Sequence, residues 1–189
     1  MSFYSTSANR QLKEILGRYK TSYQARAKAS TSAYQATLKP GQQIPAPGLY
    51  GDSDREAFRE DCAQLQAEAR SIFDGLMKDL RTESIKAPTE DQRALLEVLR
   101  LRKNLTRQEV DDLAEQLEDN VQCYKALQEI AKESHLYLPT HPVDNQLKAL
   151  EEVSRSVERA LSPYEVETHT SDGYQSIVGA LLDEAIPVD

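Results

Sequence analysis

The sequence has no tryptophan, three phenylalanines, two cysteines and seven glycines in 189 residues. Each scarcity closes a route. Cys62 and Cys123 cannot build a disulfide framework, and so few thiols point to a reducing, cytoplasmic setting. Seven glycines are too few for the tight turns of a many-stranded sandwich or barrel. They are also too few for phosphate-cradling loops, and neither G-x-x-x-x-G-K-S/T nor G-x-G-x-x-G occurs. No apolar run approaches the roughly 20 residues that cross a bilayer, so no membrane partner is expected. Apolar residues make up 39% against 29% charged, with a mean hydropathy of -0.63. That is lean for a compact globule, yet the apolar residues recur in regular rows, unlike those of a disordered chain.

What is present is a charge asymmetry. Residues 1–50 carry seven cations (Arg10, Lys13, Arg18, Lys20, Arg26, Lys28, Lys39) and one anion, Glu14, whereas residues 51–189 carry sixteen cations and thirty anions. A basic segment therefore precedes an acidic body, and the natural partner of that segment is negative: nucleic acid, an anionic surface, or the acidic body of this or another copy. Residues 1–38 are acid-poor and rich in Ser, Thr and Arg, as an organelle transit peptide is. They lack the continuous apolar core of a secretory signal, and they are read here as part of the working protein.

Punctuation divides the chain. Residues 39–52 hold Pro40, Pro45 and Pro47 with Gly41, Gly48 and Gly51, a stretch that cannot sustain a helix and reads as an extended linker. The expected organisation is a basic helical arm at 1–38, the linker at 39–52, an acidic helical body at 53–163, and a tail with a short C-terminal helix at 164–189. Residues 8–38 are expected to be helical, with Leu12, Ile15, Leu16, Tyr19 and Tyr23 on one side. Reciprocal capping pairs open three later helices: Ser53 with Glu56, Thr89 with Gln92, and Thr106 with Glu109. Asp144 and Asp172 are expected to cap two more. The predicted helices are 54–86, 90–103, 107–137, 145–161 and 173–185, with a weak strand at 164–170. The fold class is all-α.

The apolar spacing is narrow. Helix 54–86 sets Phe58, Cys62, Leu65, Ala69, Ile72 and Leu76 at steps of four and three. Helix 107–137 does so with Val110, Leu113, Leu117, Asn120, Tyr124, Leu127 and Ala131, and helix 145–161 with Leu147, Leu150, Ser154, Val157 and Leu161. A 3.5-residue average is the stripe of knobs-into-holes packing. At 1.5 Å per residue the two long helices would reach about 45–50 Å, which suggests an elongated helical hairpin or bundle with association seams. Asn120 either fixes register within its seam or lies exposed where the stripe drifts toward Val121.

Chemistry-bearing constellations are few. His135, His141 and His169 have no partner at metal-ligand spacing, and no metal or cofactor is expected. Gly51-Asp52-Ser53 resembles the nucleophile block of one lipase class, but no strand precedes it and Ser53 already serves as a cap. Asn104-Leu105-Thr106 matches a glycosylation sequon, read here as the Thr106 cap. Asp111, Glu115 and Asp119 run along one helix face beside Asp112 and Glu118, a solvated row or a docking face for basic groups. Arg100, Arg102, Lys103 and Arg107 form a basic knot that complements the end of its own helix or touches phosphate.

The partner-binding candidates are therefore Arg10, Lys13, Arg18, Tyr19, Lys20, Tyr23, Arg26 and Lys28. Their cations, interleaved with Tyr4, Tyr19, Tyr23 and Tyr34, could meet phosphate and stack on bases, or dock within an assembly. The association candidates are the seam residues, chiefly Phe58, Leu65, Ile72, Leu76, Val110, Leu113, Leu117, Asn120, Tyr124 and Leu127.

The block 105–114 (LTRQEVDDLA), continued through Asn120, Tyr124, Leu127 and Ala131, resembles helical head-region proteins of tailed phages and prophages. The plan of an acidic helical body with an oppositely charged terminal segment is similar to that of their scaffolding and accessory proteins, although scaffolds usually carry the basic segment at the C-terminus. The resemblance implies a non-enzymatic assembly role, as a homo-oligomer or part of a larger protein assembly, in host cytoplasm or virion. The other expectation is a nucleic-acid-associated accessory protein acting through the arm. In either case the arm is expected to be dispensable for folding of the body.

Overall fold

The computed structural model describes residues 3–102 and 104–186. These form eight helices and no strand: α1 (Phe3–Gln35), α2 (Asp52–Ser84), α3 (Glu90–Leu101), α4 (Arg107–Leu117), α5 (Val121–Glu133), α6 (Pro142–Ala160), α7 (Val166–His169) and α8 (Asp172–Ala185). The all-α class holds. The 164–170 segment, read as a weak strand, is instead largely the short helix α7.

The helices belong to two compact units, Met1–Leu76 with Leu150–Asp189, and Met77–Ala149. The chain passes from one to the other within α2 and again within α6. These limits do not coincide with sequence divisions at 38, 52 and 163. The basic segment shares the first unit with the C-terminal helix, so it is not a separate arm.

The apolar side of α1 explains that placement. Leu12, Ile15, Leu16, Tyr19 and Ala27 recur at helical spacing and are all buried, Leu12 and Tyr19 completely. The Tyr19 ring lies 5.7 Å from that of Phe58 in α2, and its hydroxyl donates to the Ser162 carbonyl at 2.7 Å. Asn9 is buried beside α8, where its amide donates to the Ile186 carbonyl at 2.8 Å, the Leu182 carbonyl at 3.2 Å and Asp183 Oδ1 at 3.1 Å. It thereby supplies a donor to the Ile186 carbonyl past the end of α8 and a second one to the Leu182 carbonyl, which already accepts from Ile186 N–H at 2.8 Å. Phe58, Cys62, Leu65, Ala69 and Phe73 from α2, Val157, Ala160 and Leu161 from the α6 end, and Val178 and Leu182 from α8 are buried in the same unit.

The linker folds back on α1. Gly48 N–H donates to Thr31 Oγ1 at 3.0 Å and Tyr50 N–H to Ser30 Oγ at 2.9 Å. The rings of Tyr34 and Tyr50 stack 4.8 Å apart. Gly41 takes φ 90, a backbone region that suits a residue with no Cβ, next to the Gln42 N–H to Lys39 carbonyl bond of 3.1 Å.

In the second unit the cluster is Leu96, Leu99, Leu105, Val110, Leu117, Cys123, Tyr124, Leu127, Ile130, Ala131 and Leu138. The expected helix 107–137 is broken here into α4 and α5. Asn120 is the reason: its backbone is extended (φ -130, ψ 98) and its side chain accepts from Cys123 N–H, at 3.1 Å. Asparagine offers the backbone this local alternative to continuing a helix. Its amide also donates to the Lys86 carbonyl at 3.1 Å. Asn120 is therefore a buried helix cap, neither a register residue in a seam nor an exposed one.

The capping boxes at Thr89 and Thr106 form as expected. The other expected caps do not. Helix α2 begins at Asp52, with Arg55 N–H bonded to the Gly51 carbonyl, so Ser53 lies inside it. Ser171 rather than Asp172 caps α8. His141 stands ahead of α6 and accepts from Val143 N–H at 3.1 Å, while Asp144 lies in the first turn and pairs with Lys125 at 2.9 Å. Pro142, the first residue of α6, loses no helical hydrogen bond there.

Candidate interaction surfaces

The cations proposed as partner contacts mostly meet carboxylates of their own unit. Arg26 holds Asp61 through two bonds of 2.7 and 3.0 Å, and Ser22 donates to the same carboxylate at 2.6 Å. Arg18 grips Glu68 at 2.6 and 3.2 Å. Lys13 meets Asp183 at 2.6 Å, and Lys20 pairs with Asp172. Among the described residues Arg10 meets Glu14, one helical turn on, at 3.9 Å, and Lys28 is exposed. Tyr23 packs 5.5 Å from Phe58. The basic segment and the acidic body thus neutralise each other along α1, and the negative partner anticipated from composition lies largely within the chain.

These pairs have a titration signature. The Arg26 hydrogen bond holds the Asp61 carboxyl below its ordinary range, helped by Ser22; the Arg18 bond does the same to Glu68. Lys13 acts likewise on Asp183, and Lys20 on Asp172. A carboxyl lowered in the folded state adds stability that is complete above its unfolded value near about 4 and is lost as pH falls below it. The melting temperature is expected to drop on acidification from pH 6 toward pH 3. The double variant Asp61→Asn/Glu68→Gln should melt lower than wild type at pH 6 but lose less on acidification. Parallel curves for the two proteins would show that these pairs carry no linked protons.

The seam residues are spent inside the chain. Phe58, Leu65, Val110, Leu117, Tyr124 and Leu127 are buried within the single chain, which leaves them no surface for another copy; this corrects their reading as association contacts. Leu113 is partly covered by the second unit's core. In α2 the stripe drifts past Ala69: Phe73 is the buried residue, and Ile72 and Leu76 are half-buried. A straight helix turns once per 3.6 residues, so a 3.5-residue stripe moves round its face.

The histidines do structural work. His135 has φ 60 and stands just past α5, where Leu136 N–H reaches the Ala131 carbonyl at 2.9 Å and His135 N–H the Lys132 carbonyl at 3.0 Å. That is a Schellman closure. Buried His141 uses Nε2 against the Glu118 carbonyl at 2.8 Å. Its Nδ1 accepts at the α6 cap, which assigns the proton to Nε2. His169 is buried against Tyr174, ring centres 4.8 Å apart. Burial pushes the Cys62 thiol up to about 12 and also raises Cys123, so both thiols stay protonated and weakly nucleophilic.

Arg107, from the basic knot, bonds Asp111 at 2.9 Å and the Tyr137 carbonyl at 2.6 Å. Arg102 holds Glu109 at 2.7 Å. Hydrogen bonds from Thr106 and then Arg102 keep the Glu109 carboxyl at about 2. Lys103 lies outside the described residues. Asp111, Asp112, Glu115, Glu118 and Asp119 are all exposed, and no group of three or more His, Cys, Asp or Glu among the described residues could hold a metal ion. No helix among them is long and apolar enough to cross a membrane.

No family model, curated protein or solved structure matches the chain. Its surface must therefore be read on its own chemistry.

One further surface lies on α3. Helix α3 buries Leu96 and Leu99 in the second unit, yet Val98 is 57% and Leu101 84% exposed, and Ala94 is exposed with them. At about 100° per residue, Ala94, Val98 and Leu101 form one stripe roughly opposite Leu96. The helix is apolar on two sides, and only one is covered. The signal was in the sequence: Ala94, Leu95, Leu96, Val98, Leu99 and Leu101 are more than a one-sided amphipathic helix needs.

Proposed function

We propose that this chain is a non-enzymatic interaction protein that self-associates or docks in a larger assembly, and that the outward face of α3 is its contact surface. The observation that carries the reading is the exposed Ala94–Val98–Leu101 stripe. A helix that is apolar on two sides has more apolar surface than one packed face covers, and a contiguous exposed apolar patch marks an interaction site. A structural role in the head of a tailed phage or prophage is the specific form that the resemblance in the 105–131 block implies. The nucleic-acid alternative draws on α1, but the paired state of Lys13, Arg18, Lys20 and Arg26 leaves it fewer free cations than composition offered.

The test is the mass in solution. Light scattering across concentration is expected to rise above the 21.3 kDa of one chain for wild type. The variant Val98→Lys/Leu101→Lys should stay at the mass of one chain while keeping wild-type helicity. A wild-type protein that remains one chain throughout would remove the self-association reading. Salt-sensitive retention on DNA, lost when Arg10 and Lys28 become Gln, would favour the alternative.

A further inference from the structure

We infer that the outward face of α3 is covered by α3 of a second copy, laid antiparallel across a two-fold axis near Val98. The inference rests on the reading above and supplies its partner. The stripe is nearly symmetric about Val98, with Ala94 four residues before it and Leu101 three after. In an antiparallel pair Val98 meets its counterpart, and the small Ala94 of each copy faces the large Leu101 of the other. Such an isologous contact, with one patch facing itself, is the commonest interface in homo-oligomers.

Charge selects the direction. Glu90 and Asp91 occupy the first turn of α3, and Arg100 its last; Arg102 follows. Glu90, Asp91 and Arg100 are exposed, with no ion-pair partner among the described residues, whereas Arg102 is engaged with Glu109. Antiparallel pairing sets the acidic end of each copy against the basic end of the other, twice. Parallel pairing would set like against like at both ends. A partner of single sign would satisfy one end and oppose the other. The macrodipoles favour the antiparallel arrangement for the same reason.

Size sets the strength. Twelve residues make a helix about 18 Å long, and two such helices bury less than the roughly 1,200 Å² of a stable interface. The dimer is therefore of the weak, transient class, and its mass is followed up to high protein concentration.

The test uses the full chain, in which Cys62 and Cys123 are buried and should stay silent. Under mild oxidation Val98→Cys should give a disulfide-linked dimer, because a residue at the axis brings its Cα within bonding reach of its counterpart. Leu101→Cys should not, since it faces Ala94. Glu90→Lys/Asp91→Lys and Arg100→Glu should each weaken self-association about tenfold at low salt, and an equal mixture of the two should restore it. Circular dichroism checks that every variant stays folded. If Leu101→Cys cross-links as readily as Val98→Cys, the antiparallel register is wrong. If wild type exceeds one chain in mass but Val98→Cys forms no dimer and the charge variants change nothing, this inference falls while the assembly reading stands. If wild type is one chain up to about 1 mM, this inference falls together with the self-association form of that reading, and docking on a different protein is the form that is left.

Discussion

Leu117→Asp is expected to unfold the second unit. Leu117 closes α4, is 1% exposed and belongs to a cluster with Val110, Cys123, Tyr124 and Leu127. Removing its isobutyl group costs about 2–5 kcal/mol in transfer and cavity terms. An unpaired buried carboxylate adds several kcal/mol more unless it takes up a proton. The new charge would also sit at the end of a helix, where an anion opposes the macrodipole. A domain is stable by only about 5–15 kcal/mol, so the loss consumes most of what holds this unit. Far-ultraviolet circular dichroism should fall and the first thermal transition should move far down. Leu127→Asp, at a fully buried site, should match it. Leu113→Asp, at a half-buried one, should cost less. Leu117→Met, which nearly conserves volume, should cost under about 1.5 kcal/mol. Unchanged helicity in Leu117→Asp would mean that this side chain reaches solvent and that α4 does not pack as described.

The contrast between Thr106 and Asn120 shows what a sequence can disclose. The Thr106 box is local: hydroxyl, carboxylate and backbone donors lie within four residues, and the pattern reads directly. Asn120 caps with the same chemistry, but it also falls in step with the apolar row from Val110 to Ala131, and the row conceals it. The neighbouring Asp119 makes with Asn120 a pair of residues that suit a turn better than a helix interior, and that is the local signal. Long-range partners were not available at all. The charge asymmetry was legible in composition. That Arg26 would meet Asp61 and Lys13 would meet Asp183 depended on how α1 packs, which no local pattern encodes. The outward stripe of α3 was legible in principle, because six apolar residues in twelve exceed one helix face.

Deletion of residues 1–39 is expected to collapse the first unit, the reverse of what a separable arm would allow. Two kinds of contact hold α1, and their magnitudes differ. Leu12, Ile15, Leu16 and Tyr19 are buried, and each aliphatic side chain of that size contributes about 1.5–3 kcal/mol. The ion pairs of Arg18 and Arg26 are partly exposed, and pairs of that kind contribute about 0.2–1 kcal/mol each; Lys13 and Lys20 meet carboxylates that are open to water and add little. Apolar burial therefore dominates. Its loss would open Phe58 and Leu182 to water and strip Asn9 from the carbonyls at the end of α8. Replacing Arg18, Lys20, Arg26 and Lys28 by Gln should leave the chain folded, with a modestly lower melting temperature and a weaker response to acid, Lys28 adding little. Leu12→Asp/Leu16→Asp should instead behave like the deletion. The comparison is made by thermal melting and limited proteolysis of the three proteins side by side. A truncated chain that still melts cooperatively, with α8 protected from protease, would show that α1 only decorates the unit. A Gln variant as unstable as the deletion would show that charge, rather than apolar burial, holds the basic segment in place.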